Sequence, residues 1–162
     1  MKKLASWNVN GIRACYRKGF LDWIDKELPD YTCLQEIKAE REQFPIEILD
    51  RKKTFIDIFS AKKKGYSGVA LLSKPEPVNL WHGISMSEFD DEGRTIVAEF
   101  KDFVLYNCYF PNGQRDLARV PYKLAFSEEV MKHALKMKKK TGKEIIICGD
   151  YNTSHTEIDL AN

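Results

Sequence analysis

Three consecutive isoleucines, Ile145-Ile146-Ile147, followed by Cys148-Gly149-Asp150, set the tightest limit on what this 162-residue chain can fold into. A run so short, continuous and β-branched suits a strand covered on both faces rather than an amphipathic helix. Residues 3–8, 31–35, 54–60 and 68–73 also read as strands, each apolar and bounded by polar, Gly or Pro residues. Residues 95–100 and 103–109 read as a hairpin turning at Lys101-Asp102.

Helical signals are fewer. Phe20, Ile24 and Leu28 recur every four residues before Pro29 stops the pattern, and Pro45 opens a short helix to Asp50. The longest helix is expected over residues 120–140, with Pro121 in its first turn and Leu124, Met131 and Leu135 marking its inner face. Lys138, Lys139 and Lys140 suit the negative end of its dipole, and Gly142 supplies the stop. Strands interspersed with helices predict a layered α/β protein, a single domain over residues 1–162. Hydrophobic residues at 43% and aromatics at 12% can fill a core, which excludes disordered and collagen-like classes.

No stretch approaches the ~20 apolar residues of a membrane span. Met1-Lys2-Lys3 runs into a strand-like segment rather than the apolar run of a signal peptide, so a cytoplasmic protein without a membrane partner is expected. Cys15, Cys33, Cys108 and Cys148 form no CxxC pair and read as free thiols, not a zinc site. A net charge of +2 does not flag a nucleic-acid binder. The clusters 51–53 and 62–64 read first as solvated surface. The chain closes at residues 158–162 soon after its most apolar strand, which reads as a domain truncated on its C-terminal side.

Polar residues follow several of these strands directly. Asn8 ends Leu4-Ala5-Ser6-Trp7, Glu36 follows Thr32-Cys33-Leu34-Gln35, and Asp150 and Asn152 follow the isoleucine run. Ligands of α/β sheets gather beyond the carboxyl ends of strands. An oxygen-rich set with no thiol or imidazole suits a hard cation, Mg²⁺ better than a caged Ca²⁺. Taken singly, each residue has a plainer reading: Asn8, Asn152 and Asp150 as turn formers, Glu36 as a solvated loop residue. Tyr109 fits a phosphate hydrogen bond or a half-buried core ring, and residue statistics favour the ring. Gly65-Tyr66-Ser67-Gly68 lacks the spacing of a phosphate-binding P-loop. Arg115 and Arg119 fit a phosphate clamp or ordinary exposed surface. His155 is as consistent with bracing a loop as with catalysis.

Longer strings carry more. Trp7-Asn8-Val9-Asn10-Gly11-Ile12-Arg13, Leu34-Gln35-Glu36-Ile37-Lys38, Gly65-Tyr66-Ser67-Gly68-Val69-Ala70-Leu71-Leu72-Ser73, Glu92-Gly93-Arg94, Tyr109-Phe110-Pro111-Asn112-Gly113 and Gly149-Asp150-Tyr151-Asn152, followed by Thr156-Glu157-Ile158-Asp159-Leu160, occur in this order. The chain closely resembles the exodeoxyribonuclease III family of apurinic/apyrimidinic endonucleases, within the endonuclease/exonuclease/phosphatase superfamily. The resemblance runs from Leu4 to Asn162.

It implies the N-terminal part of a four-layer α/β sandwich, two packed antiparallel or mixed sheets flanked by helices. It also implies a Mg²⁺-dependent (or Mn²⁺-dependent) phosphodiesterase of base-excision repair, monomeric when intact. Its partner would be double-stranded DNA with abasic sites or 3′ ends, and the family adds 3′–5′ exonuclease and 3′-phosphatase activity. Asn8, Glu36, Asp150 and Asn152 would form the metal set. Tyr109, Asp150 and Asn152 would be catalytic, and Gly11, Arg13, Tyr66, Arg115 and Arg119 would touch DNA. Asn10 stands where many relatives carry Asp. The family's C-terminal Ser-Asp-His motif is absent, so activity below that of an intact relative is expected. The alternatives are a non-catalytic fragment that keeps metal and DNA contacts, or a superfamily cousin acting on phosphoinositides or sphingomyelin.

Overall fold

A computed structural model describes residues 1–113, 117–154, 156 and 158. The first sheet contains β1 (Leu4–Asn8), β2 (Tyr31–Gln35), β3 (Phe55–Phe59) and β4 (Val69–Ser73), in the spatial order β1-β2-β4-β3. The second contains β5 (Asn79–His82), β6 (Thr95–Glu99), β7 (Phe103–Tyr109) and β8 (Glu144–Asp150), in sequential order. Helices α1 (Ile12–Arg17) and α2 (Phe20–Glu27) cross from β1 to its parallel neighbour β2. Helix α5 (Val120–Thr141) makes the equivalent crossover from β7 to β8. Two short helices, α3 (Ile46–Leu49) and α4 (Ser87–Asp90), lie in connections.

Side chains of a strand alternate between faces, and that alternation builds the layers. Tyr31, Cys33, Val69 and Leu71 meet Ile96, Ala98 and Leu105 between the sheets. On the outer face of the first sheet, Leu34, Ala70 and Leu72 pack on Ile12, Phe20 and Ile24. On the outer face of the second, Val104, Tyr106 and Cys108 pack on Phe126, Val130 and Ala134. The result is helices, sheet, sheet, helix: the expected sandwich of mixed sheets. A buried polar link joins the sheets, since Gln35 Nε2 donates to Asn107 Oδ1 at 2.8 Å and Asn107 Nδ2 donates to the Ala70 carbonyl at 2.8 Å. All four cysteines are free thiols. No helix among the described residues is long and apolar enough to cross a membrane.

Several expectations need correcting. β8 is not covered on both faces: it is an edge strand, and Ile146 is 39% exposed. The inner face of α5 is Phe126, Val130, Ala134 and Met137, while Leu124, Met131 and Leu135 are exposed. Two apolar stripes compete on this helix, and the one that wins packs Phe126 edge-on against Phe89 and Phe110. Leu28 is exposed because it caps α2 in left-handed backbone instead of continuing the helix. β5, α1 and α4 were not anticipated; each is short and weakly patterned.

Candidate active site

Parallel pairing sets the ends of β1 and β2 side by side, with Asn8 opposite Gln35, and likewise Tyr109 opposite Asp150. Glu36 follows β2 in left-handed backbone, φ 51°, uncommon for a residue with a side chain. Its carbonyl is held there by the Gly11 N–H at 2.7 Å. Gly149 precedes Asp150 because any Cβ there would stand 1.7 Å from the Cys108 carbonyl oxygen. Close approach of β8 to β7 therefore aims the Asp150 carboxylate.

The amide of Asn8 bridges the two carboxylates. Its Nδ2 donates to Glu36 Oε1 at 3.0 Å and to Asp150 Oδ2 at 2.7 Å, so two like charges share one donor group. Glu36 Oε1 also accepts the Tyr109 hydroxyl at 2.7 Å, and Oε2 pairs with Lys38 Nζ at 2.7 Å. Burial pulls the Glu36 carboxyl upward, but hydrogen bonds from Asn8, Lys38 and Tyr109 outweigh it and hold the group below the usual carboxylate range. Burial, reinforced by the Glu36 carboxylate, pushes the Tyr109 phenol well above its ordinary value, so it is a neutral donor at physiological pH. Asp150 Oδ1 accepts the Asn152 backbone N–H at 2.8 Å. The Asn152 side-chain amide donates to the Phe110 carbonyl at 2.8 Å and also reaches the Tyr109 phenol.

A basic relay lies beside this cluster. Arg94, 2% exposed, donates to Glu92 at 2.6 Å, to the Tyr109 carbonyl at 2.9 Å and to the Tyr66 hydroxyl at 3.0 Å. Its guanidinium lies 4.8 Å from the centre of the Tyr109 ring. Arg119 donates to the same Tyr66 hydroxyl at 3.0 Å and to Glu92 at 2.9 Å. Tyr66 and Arg119 thus join Tyr109 through Arg94.

The structure therefore brings Asn8, Glu36, Tyr109, Asp150 and Asn152 together. Gly11 sits behind Glu36, and Arg13 opens with Arg17 and Lys38 onto a neighbouring cavity of about 340 Å³. Arg115 and His155 lie outside the described residues. Sequence reasoning missed Arg94 and Lys38 as site residues, although both stand inside quoted strings, and it missed the Gln35–Asn107 link behind the site. Nothing local distinguishes an arginine that will be buried from one that will not.

Among the described residues no three His, Cys, Asp or Glu side chains come together. The donors that meet here are the Glu36 and Asp150 carboxylates, while the Asn8 amide turns its Nδ2 to them and its Oδ1 to the Asn10 N–H at 3.0 Å; carboxylate oxygens fit a hard divalent cation that keeps several waters. Glu36 would be its anionic anchor, with Asn8 and Asp150 beside it.

The pattern described as "Endonuclease/Exonuclease/phosphatase family" matches residues 5–162. The DNA repair nuclease APEX1 of Danio rerio is 42% identical over 162 residues, covering 99% of this chain and 52% of that protein. An exodeoxyribonuclease of Bacillus subtilis is 42% identical over 161 residues, covering 99% and 62%. An AP endonuclease structure from Archaeoglobus fulgidus superposes with a TM-score of 0.82 at 30% identity, over 100% of this chain and 62% of that one. The chain thus spans between half and two thirds of the length of these relatives.

Proposed function

The chain belongs to the endonuclease/exonuclease/phosphatase family, and from that membership we propose that it is a metal-dependent DNA phosphodiesterase of base-excision repair. Its substrates in this reading are duplexes with abasic sites or 3′ ends. Relatives named as a repair nuclease and an exodeoxyribonuclease support it. The observation that carries it is the Asn8 amide holding Glu36 and Asp150 together while Tyr109 donates to Glu36.

Mg²⁺, with Mn²⁺ as a substitute, would be held by Glu36 with Asn8, Asp150 and Asn152 nearby, and would neutralise charge on the phosphate oxygens. The remaining chemistry falls to the chain. Asp150 is held at both oxygens, by Asn8 and by the Asn152 N–H, and keeps lone pairs free to take a proton from an attacking water. Tyr109 stays protonated and, by exchanging Glu36 for a phosphate oxygen, donates to the developing charge. Asn152 steadies the phenol. Tyr66 and Arg119, with Gly11, Arg13 and Arg115, contact the DNA backbone.

A second reading, a module that binds metal and DNA without turnover, draws on both Glu36 oxygens already being engaged by protein donors. An incision assay on an abasic-site duplex separates the two. Mg²⁺-dependent cutting beside the abasic site, lost on chelation, is expected. Binding without cutting selects the second reading, and cutting that survives chelation overturns the proposed chemistry.

A further inference from the structure

At the end of the first sheet opposite the carboxylates lies a cavity of about 260 Å³ that the chemistry above does not use. Ile24 of α2, Pro29 and Leu72 of β4 form its apolar wall. Thr32 lines it too; it is 2% exposed, and its hydroxyl makes no hydrogen bond to a described residue. Among the described residues the enclosed side-chain atom without a partner is Ser67 Oγ, whereas the Thr32 hydroxyl opens onto this cavity, where a ligand atom can meet it. The neighbouring polar groups are already committed: Ser73 donates to the Pro75 carbonyl at 2.7 Å, Lys74 to Asp30 and the Leu28 carbonyl at 2.9 Å, and Arg51 pairs with Asp25. Lys52 and Lys53, on the rim, are exposed and have no ion-pair partner among the described residues.

We propose that this cavity is a second, non-catalytic site for a nucleoside monophosphate, with the base against Ile24 and Leu72, one ring atom on Thr32, and the phosphate at Lys52 and Lys53. Ligand sites combine an apolar lining with a few directed polar groups, and this one adds unpaired cations at its mouth. A bare phosphate would use only the rim. An acyl chain would leave Thr32 unpaired. The rim continues through Lys53, Thr54 and Lys74 into a groove of about 470 Å³ ending at Arg41, which leaves room for the sugar. This inference does not rest on the nuclease reading.

The test is an amide chemical-shift titration of the full chain with dAMP, run in parallel with inorganic phosphate. Shifts are expected at residues 28–32, 51–54 and 72–74, with saturation by dAMP and a much weaker response to phosphate. The double variant Lys52→Glu/Lys53→Glu changes only exposed side chains and should weaken binding about tenfold. Thr32→Val, which keeps the side-chain shape, should weaken it several-fold. Shifts confined to residues 8, 36, 109 and 150, an equal response to phosphate, or no saturation would overturn the proposal.

Discussion

β2 and β8 each present a carboxylate to the same site, yet one runs through the middle of its sheet and the other along an edge. All five residues of β2 are buried, although its sequence, Tyr-Thr-Cys-Leu-Gln, is the less apolar of the two. β8 carries three isoleucines and leaves one of them 39% exposed. Burial follows the number of strands and helices that flank an element, not its hydrophobicity. The consequence reaches the site. Glu36 stands on the enclosed strand and is fastened by three side-chain donors. Asp150 stands on the open strand and is held by one amide side chain and one backbone N–H.

If that contrast sorts the two carboxylates into an anchor and a base, their conservative replacements should fail differently. Asp150→Asn should lower the rate of abasic-site incision by about 10²–10⁴-fold while Mn²⁺ affinity, read by calorimetry, falls less than it does in Glu36→Gln. Glu36→Gln should weaken metal binding itself. Equal losses of metal affinity in both variants would abolish the distinction.

Truncation of the two strand environments comes next in size. Leu71→Ala, at a fully buried position of β4 beside β2, should cost about 2–5 kcal/mol in urea unfolding. Ile146→Ala on β8 should cost less than about 1 kcal/mol. Comparable losses would mean that the edge of β8 is covered in solution.

The relay offers a third comparison. Arg94→Met removes a buried guanidinium and its hydrogen bonds while Glu92 keeps Arg119, and should cost about 2 kcal/mol, read in the same urea unfolding. It should also loosen Tyr109, visible as a change in near-ultraviolet circular dichroism.

The smallest effect is in pH. Because the folded state holds the Glu36 carboxyl below its unfolded value, its contribution to stability is fully present above about pH 4.3 and is lost as the pH falls through the lower, folded value. Melting temperatures measured from neutral to acid pH should therefore fall less steeply for Glu36→Gln than for the parent chain.

Much of this was legible beforehand. Seven of the eight strands follow from short apolar runs between turn signals, and β5 was missed because Asn79-Leu80-Trp81-His82 alternates too briefly to stand out. The polar residues after β1, β2, β7 and β8 were identifiable because a strand that stops at a polar residue shows its end in the residue types alone. The faces were not legible. Leu124, Met131 and Leu135 repeat as convincingly as the stripe α5 actually buries, and Arg94 resembles any arginine after a turn.

Local periodicity and strand-terminal chemistry, properties of neighbours along the chain, were enough to establish a layered α/β protein whose oxygen-bearing residues cap its strands. Sheet order was not contained in them. The pairing of β1 with β2 and of β7 with β8, and the packing of the two sheets face to face, bring Asn8 within 2.7 Å of Asp150, 142 positions away. That approach depends on contacts between residues far apart in sequence, which no window along the chain can sum. The same contacts settle which strand is enclosed, which helix face turns inward, and which arginine is drawn into the core beside the phenol.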